Sequence, residues 1–245
     1  MCSSDLLSVH RAKPLMKQLL LIRHGLPHEG YPTRPNDPPL HQDGHRQAER
    51  LAKVLVGERI DRIVCSPQQR AKDTAAPLVA LTGLPLEVYD GLAEIDRLTG
   101  RYRSAETIRA EGPDRWAEFV ASPAKFMGLD PMVYRDAVVA TLCDIVHDPR
   151  GSRVAVFSHG MTIKTMICAV LGLNDNGFSL FSTGHCSVSR LLSVDPPLDL
   201  PDAPPDRAPR IAQSDLAAPQ TPRAAPRMKI ESINESLIGS RDDQR

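Results

Sequence analysis

Short apolar runs alternate with amphipathic segments along most of the chain. The apolar runs end at glycine, serine or proline, which is typical of buried strands. The intervening segments carry apolar residues three or four positions apart, as on one face of a helix. This pattern predicts strands at 18–22, 62–65, 86–89, 153–157 and 186–194, and helices at 43–56, 67–81, 104–122, 131–147 and 160–171. We expect Gly112-Pro113 to break the helix at 104–122.

The regular alternation of strands and helices indicates an α/β protein. We predict a three-layer α/β/α sandwich around a mostly parallel central sheet. The domain should comprise residues 17–195 and 227–236, with a helical insertion at about 97–150. Residues 228–234 alternate in polarity and are predicted to form an edge strand paired with 186–194. In open sheets of this kind, ligands bind at the carboxyl ends of the parallel strands.

Three segments fall outside the predicted domain. Residues 1–16 are polar and lack a clear period, and we interpret them as a flexible leader. Residues 196–226 are rich in proline, alanine and charged side chains, a composition that buries too little apolar surface to fold alone. We interpret this stretch as a disordered insertion between two hairpin strands, with a loose tail beginning at 196 as the alternative. Residues 237–245 form a C-terminal tail.

Composition excludes several classes of partner. The chain has 30 basic and 30 acidic residues, and this balance predicts neither a nucleic-acid surface nor an anionic-membrane surface. No run approaches the ~20 apolar residues of a membrane span, and no signal peptide is recognisable, so we expect a cytoplasmic location. The five scattered cysteines lack Cys-x-x-Cys spacing, which indicates neither a metal site nor a disulfide framework. The oligomeric state stays open, a homodimer included.

Three short segments each place a reactive or anion-binding group at a predicted strand end. Arg23-His24-Gly25 follows the first strand, and its glycine lets the backbone approach a ligand closely. Arg70 lies in the first turn of the helix after the second strand, near the positive end of the helix dipole. His159 follows the fourth strand. Each signal is weak alone, because such residues are often structural or exposed, but together they predict one anion-binding crevice.

Five motifs identify a resemblance to a known family. Leu-Ile-Arg-His-Gly at 21–25, Cys-Ser-Pro-x-x-Arg-Ala-x-x-Thr-Ala at 65–75 and Phe-Ser-His-Gly at 157–160 resemble, in this order, the three core motifs of the histidine phosphatase superfamily, also called the phosphoglycerate mutase-like family. Pro-Leu at 39–40 with Gly44 and Gln47-Ala48 resembles a fourth family segment, and Leu-Ala-Glu at 92–94 a fifth. The resemblance covers residues 19–92 and 154 to about 193.

The resemblance implies a phosphatase that needs no metal or cofactor and works in two steps through a phosphohistidine at His24. Arg23, Arg70 and His159 would surround the phosphoryl oxygens and stabilise their charge. Glu94 would protonate the leaving alkoxide and then deprotonate the attacking water. Asp96 is a rival for that role, but only Glu94 matches the family motif. The expected substrate contacts are Arg23, Gly25, Arg70, His159, Gly160 and Met161.

The first motif departs from the mutase pattern of the family. Mutases and several sugar phosphatases continue it as Arg-His-Gly-Glu-Thr-x-x-Asn, whereas this chain has Leu26, Pro27 and Gly30 in the corresponding loop. We therefore favour a phosphatase acting on a small phosphorylated metabolite or a phosphoprotein. A phosphoglycerate-type mutase and a catalytically idle phosphate-binding adaptor are the alternatives. His28, His41 and His185 have no assigned role at this stage.

Overall fold

The computed structural model describes residues 16–100, 102–173, 175–193 and 224–238. Apart from a few residues at their borders, the predicted leader at 1–16, the proline-rich insertion at 196–226 and the tail at 237–245 lie outside the described residues. The interpretation of these three segments therefore stays a prediction. Within the described part of the chain, no helix combines the length and the apolar character that crossing a membrane requires.

In the described part of the chain, six strands form one sheet in the order β3-β2-β4-β1-β5-β6. They are β1 (Gln18–Arg23), β2 (Arg62–Cys65), β3 (Leu86–Val88), β4 (Arg153–Ser158), β5 (Val188–Ser193) and β6 (Met228–Glu235). The first four are mutually parallel, while β5 is antiparallel to β1 and β6 is antiparallel to β5. The sheet is therefore mostly parallel, and the predicted pairing of 186–194 with 228–234 is present as the β5–β6 hairpin.

The helices follow the predicted pattern closely. They are α1 (Gln42–Leu55), α2 (Gln69–Thr82), α3 (Ile95–Thr99), α4 (Ala105–Ala110), α5 (Pro113–Ala121), α6 (Pro123–Phe126), α7 (Pro131–His147) and α8 (Gly160–Val170). The predicted break at Gly112-Pro113 separates α4 from α5. The short helices α3 and α6 are additions that periodicity did not predict, because a helix of one turn carries too few positions to show a period.

Helices cover both faces of the sheet. Leu19 and Leu21 of β1 pack with residues of α7 and α8 on one face. Leu20 and Ile22 pack with residues of α1 and α2 on the other. Because successive side chains of a strand point to opposite faces, a strand covered on both sides must be apolar throughout. The three-layer α/β/α sandwich predicted from the sequence is therefore confirmed.

Helix α2 begins later than its sequence suggests. The sequence predicts a helix from residue 67, whereas α2 starts at Gln69 with Gln68 at the cap position. The Gln68 side chain makes no capping hydrogen bond. Instead, the Gln69 N–H donates to Asp37 Oδ1 at 2.9 Å. A carboxylate from the preceding loop therefore caps the helix, a contact that local sequence cannot reveal.

Hydrogen bonds to the backbone of Leu26 hold the loop after β1 against α1. The Leu26 N–H donates to Gln47 Oε1 at 2.9 Å, and the Leu26 carbonyl accepts from the His41 N–H at 2.9 Å. His41 also caps α1, since its Nδ1 accepts the Asp43 N–H at 3.2 Å. A β-carbon at Gly44 would overlap the Leu26 carbonyl oxygen. Gly44 therefore permits a close backbone approach that positions the loop beside His24.

We expect Gly44→Ala to destabilise the fold by about 1–3 kcal/mol, because the new methyl group must displace backbone atoms rather than a side chain. Urea unfolding measures this change. Gly57→Ala is the matched control, since a β-carbon there meets nothing within 4 Å, and its free energy of unfolding should change by less than about 1 kcal/mol. Equal stability of the two variants would contradict the close approach at Gly44.

Candidate active site

The carboxyl ends of β1 and β4 lie side by side, because Arg23 and Ser158 are register partners. The residues that follow, His24 and His159, have ring centroids 5.1 Å apart. Ser66 follows β2, and its Oγ lies 2.7 Å from His159 Nε2. The structure thus brings together the three strand ends that the sequence singled out.

His24 is buried, and the main chain orients its ring. Its Nδ1 lies 2.7 Å from the carbonyl oxygen of Gly25. A carbonyl oxygen only accepts, so Nδ1 carries the proton and Nε2 keeps its lone pair. Burial, followed by the positive charge of Arg70, holds the pKa of His24 well below its usual range. His24 is therefore a neutral imidazole whose Nε2 has the lone pair that a nucleophile requires.

Arg70 is almost completely buried, with 1% of its surface exposed. Its Nη2 donates to Asp96 Oδ2 at 2.8 Å. Asp37 Oδ1 lies 3.9 Å from its Nη1, which is ion-pair range but too long for a hydrogen bond. The guanidinium carbon also lies 5.0 Å from the centroid of the Tyr102 ring. Asp96 thus fixes one side of the guanidinium group.

Gln68 links the two acidic residues of the site. Its Oε1 accepts the Glu94 backbone N–H at 2.6 Å. Its Nε2 donates to Asp96 Oδ1 at 2.7 Å. With Arg70 bound to Oδ2, both oxygens of the Asp96 carboxylate are therefore occupied. Burial also raises the pKa of Asp96, against the opposing effect of Arg70, and the choice between Glu94 and Asp96 as the acid stays a prediction.

Arg23, Arg70 and His159 share an unusual feature. Within the described residues, Arg23 Nε, Arg70 Nε and Nη1, and His159 Nδ1 are buried polar atoms without a hydrogen-bond partner. Proteins pair nearly all buried polar groups, since an unsatisfied one costs about 1–3 kcal/mol. Arg23 is also anchored through Nη1, which donates to the Thr183 carbonyl at 2.6 Å. Such a set of unsatisfied nitrogens suits an anion that carries several oxygen acceptors.

Glu94 is bound at the N-terminus of α8. Its Oε2 accepts the Met161 N–H at 3.0 Å, and its Oε1 accepts the Ile95 N–H at 3.1 Å. The Tyr134 hydroxyl lies 3.3 Å from Oε1. Burial raises the pKa of Glu94 and Asp96 adds to the increase, against the opposing effect of the Met161 N–H. A carboxyl group with a raised pKa keeps its proton to higher pH, as a general acid requires.

Two of the predicted substrate contacts have other partners in this structure. The Met161 N–H binds the Glu94 carboxylate, as described above. The Gly25 N–H donates to Thr74 Oγ1 at 3.0 Å. Gly160 lies close to its neighbours, since a β-carbon there would lie 3.3 Å from Thr183 Oγ1 and 3.4 Å from Arg23 Nε. Both backbone N–H groups therefore have protein partners in this structure, and their contact with a substrate stays a prediction.

His185, to which no sequence motif assigns a role, lies beside the candidate nucleophile. Its ring centroid is 5.6 Å from that of His24. Burial, followed by the charge of Arg23, lowers the pKa of His185 to about 3, so the ring is neutral at physiological pH. The turn that contains His185 is anchored by the Cys186 N–H, which donates to the Arg23 carbonyl at 3.1 Å. Because β5 is antiparallel, its beginning rather than its end reaches the site.

The other histidines considered from the sequence lie in the loop after β1. The ring of His28 is 5.7 Å from that of His41 and 5.2 Å from that of Tyr31. Arg34 Nη1 donates to Gln69 Oε1 at 2.8 Å on the exposed side of the loop.

No group of three or more His, Cys, Asp or Glu side chains suited to a metal ion occurs among the residues that the structure describes. Metal independence stays a prediction.

Comparison with known proteins gives consistent matches. The family described as "Histidine phosphatase superfamily (branch 1)" matches residues 19–195. Phosphoserine phosphatase 1 of Hydrogenobacter thermophilus is 29% identical over 181 residues, which cover 71% of this chain and 85% of that protein. A probable phosphoglycerate mutase GpmB of Salmonella paratyphi A is 28% identical over 182 residues, covering 72% of this chain and 85% of its own length.

Solved structures show the same fold at lower sequence identity. Phosphoserine phosphatase from Entamoeba histolytica, in complex with 3-phosphoglyceric acid, has a TM-score of 0.61 at 20% identity, covering 90% of this chain and 98% of that one. A mycobacterial glucosyl-3-phosphoglycerate phosphatase has a TM-score of 0.57 at 20% identity, covering 90% of this chain and 100% of that one. These structural likenesses establish the architecture.

Proposed function

The chain belongs to the histidine phosphatase superfamily, branch 1, and from this premise we propose that it is a metal-independent phosphatase that hydrolyses phosphate monoesters through a phosphohistidine at His24. The observation that carries the proposal is the set of buried, unsatisfied nitrogens on Arg23, Arg70 and His159 around a neutral histidine. These side chains present four such nitrogens, and the two guanidinium groups carry positive charge, which suits the three peripheral oxygens of a phosphoryl group.

The first step transfers the phosphoryl group to the protein. His24 Nε2 attacks phosphorus in line, the bond from phosphorus to the leaving oxygen breaks, and Glu94 gives its proton to that oxygen. Arg23 and Arg70 stabilise the negative charge on the phosphoryl oxygens, which are held in a site with little access to water. The neutral state of His24 supports this role, because an imidazolium has no lone pair to attack with.

The second step releases phosphate and restores the protein. Glu94, now a carboxylate, accepts a proton from a water molecule as the water oxygen attacks phosphorus. The phosphorus–nitrogen bond breaks, and its electron pair returns to His24 Nε2. One phosphate monoester and one water thus yield one alcohol and one phosphate, and Glu94 ends protonated as it began. The raised pKa of Glu94 supports its use in both directions.

The depth of the site favours a small substrate. Only 4% of His24, 1% of Arg70 and 0% of His159 is exposed. A phosphorylated side chain on a folded protein reaches such a depth only if its backbone is unfolded locally. A small metabolite phosphate enters without that cost. We therefore favour a phosphorylated metabolite over a phosphoprotein, in line with the names of the relatives, which include phosphoserine and phosphoglycerate enzymes.

Direct assay separates this function from a mutase. We expect the purified chain, in the presence of EDTA, to release phosphate from an aryl phosphate and from small alkyl phosphates. It should not interconvert 2- and 3-phosphoglycerate when a bisphosphoglycerate primer is added. Isomerisation faster than phosphate release would assign the mutase function instead. Binding of phosphate without turnover of any phosphomonoester would favour a catalytically idle adaptor.

A further inference from the structure

Tyr134 of α7 is a buried tyrosine whose hydroxyl group contacts the proposed acid. Its ring belongs to the apolar core on the α7 side of the sheet, where a phenylalanine would fill the same space. The hydroxyl oxygen lies 3.3 Å from Glu94 Oε1 and 3.0 Å from Thr162 Oγ1. The phenolic hydrogen therefore has two acceptors within reach, and packing alone does not explain the hydroxyl group.

The surroundings of Thr162 fix the direction of these hydrogen bonds. Thr162 Oγ1 donates to the Ala93 carbonyl oxygen at 3.0 Å, and a carbonyl oxygen only accepts. With its one hydrogen used in this way, Thr162 Oγ1 is the acceptor in its contact with Tyr134. Its own distance to Glu94 Oε1 is longer, at 3.5 Å. The hydrogen of Tyr134 thus points either to Thr162 or to Glu94, and it makes a hydrogen bond in both positions.

The two oxygens of the Glu94 carboxyl group have different partners. Oε1 accepts the Ile95 N–H and faces the Tyr134 hydroxyl. Among the described residues, Oε2 accepts only the Met161 N–H. A carboxyl oxygen has two lone pairs, so Oε2 keeps a position for the proton that the leaving group receives. Tyr134 therefore acts on the oxygen opposite to that proton.

The protonation state of Glu94 decides which acceptor is the stronger one. While Oε2 holds a proton, Oε1 is a neutral carbonyl oxygen, and the shorter contact with Thr162 is favoured. Once Glu94 is a carboxylate, Oε1 becomes the stronger acceptor, because hydrogen bonds to ionised groups are roughly twice as strong as neutral ones. Burial, followed by the charge of Glu94, holds the pKa of Tyr134 well above its usual value. The phenol therefore keeps its proton and only changes the direction in which it donates.

Charged and polar groups surround Glu94 on the elements packed against it. They are Arg23 of β1, Arg70 of α2, Asp96 of α3, Lys164 of α8 and the N–H groups of Ile95 and Met161. Burial raises the pKa of Glu94 and Asp96 adds to the increase, whereas Arg70 and the two N–H groups lower it. These charges and dipoles do not turn when Glu94 loses its proton. Tyr134 differs from them, because its O–H dipole is free to turn toward the new charge.

We propose that Tyr134 is a positioning residue of the reaction, whose hydroxyl donates to Thr162 while Glu94 holds its proton and turns to Glu94 Oε1 once that proton has left. The inference rests on the proposed phosphatase function and adds a residue that controls its acid. In the first step, the proton passes from Glu94 Oε2 to the leaving oxygen, and the hydrogen of Tyr134 stays bonded to its own oxygen. In the second step, a proton from water returns to Oε2, and Tyr134 turns back to Thr162.

Two variants with opposite expected effects test the proposal. Tyr134→Phe removes a donor to the carboxylate, so the fall of kcat/KM at high pH should move up by about 0.5–1 pH unit for an alkyl phosphate. Below this fall, kcat/KM should decrease about three- to tenfold, because Glu94 has become a weaker acid, while hydrolysis of an aryl phosphate should change little. Thr162→Val removes the competing acceptor, so the phenol stays on Glu94 and the fall should move to lower pH.

Matched controls and a second measurement accompany these variants. Tyr89→Phe also removes a half-buried hydroxyl, but this one contacts Arg62 Nη2 at 3.2 Å, so the pH profile should not change. Thr162→Ser keeps the acceptor and should keep the wild-type profile. A titration of the Glu94 carboxyl carbon by ¹³C NMR, with the signal assigned by its loss in Glu94→Gln, should show the same two opposite shifts without turnover.

Shifts in the same direction in Tyr134→Phe and Thr162→Val, or no shift in Tyr134→Phe, would overturn the proposal. An equal loss of kcat/KM for alkyl and aryl phosphates at an unchanged pH profile would also overturn it, because Tyr134 would then support only the fold. If the wild-type chain hydrolyses no phosphomonoester, the proposed function itself fails. The NMR titration then still decides whether Tyr134 stabilises the Glu94 carboxylate.

Discussion

Replacing His24 with alanine is expected to lower kcat for phosphate release by about 10⁴-fold or more, because the variant has no group that can form the phosphoenzyme. The ring of His24 lies within 5.1 Å of the His159 ring and 5.6 Å of the His185 ring, centroid to centroid. His159 is not equivalent to it, because His159 Nε2 is already bound to Ser66. Steady-state phosphate release measures the effect.

Two further variants separate loss of the nucleophile from loss of the fold. His24→Asn keeps a polar side chain near the Gly25 carbonyl and should be as inactive as His24→Ala while unfolding at nearly the wild-type temperature. His45→Ala removes an exposed histidine of α1 and should retain full activity. Wild-type turnover in either His24 variant would contradict the proposed mechanism.

Glu94→Gln should lower kcat/KM for an alkyl phosphate by about 10²–10⁴-fold, the usual contribution of a general acid. The loss should be much smaller for an aryl phosphate with an acidic phenol, because that leaving group departs without a proton. Asp96→Asn should lower kcat/KM by a similar factor for both substrates, since Asp96 acts by holding Arg70 through Oδ2. The opposite pattern, with dependence on the leaving group only in Asp96→Asn, would make Asp96 the acid.

The pH profile provides a second measurement of the Glu94 assignment. The pKa of Glu94 is raised, so its protonated form persists to higher pH than that of an ordinary carboxyl group. For an alkyl phosphate, kcat/KM should therefore fall as the pH rises through this pKa, and Glu94→Gln should remove that fall. The lowered pKa of His24 keeps it neutral at and above the ordinary histidine value of about 6.5. His24 should therefore cause no loss of activity as the pH falls toward that value.

Local sequence was sufficient to predict the strands that end at the site and the residues that follow them. The buried strands and the residues that directly follow them are adjacent in sequence, so a motif fixes both. Arg23 and His24 after β1, and His159 after β4, needed only the rule that parallel strands end at one edge. Alternation of strands and helices indicated a parallel sheet, whereas the pairing of β1 with β4 is a finding of the structure.

Contacts between segments that are distant in the chain could not be predicted from the sequence. The capping of α2 by Asp37 depends on how the loop after β1 folds back, so the predicted helix start at residue 67 was wrong. The N-terminus of α8 looked like a ligand site, yet the protein's own Glu94 binds there. His185 was passed over because it precedes its strand, and only the antiparallel direction of β5 brings it to His24.

The most direct test of the central claim is to trap the phosphoenzyme. The wild-type chain should be mixed with a phosphomonoester labelled with ³²P, quenched in alkaline detergent within the first turnovers, digested and sequenced by mass spectrometry. Our account predicts an acid-labile, alkali-stable phosphate on His24, at up to one per chain, that disappears when unlabelled substrate is added. Label on another residue, or turnover with no label on the protein at any quench time, would contradict it.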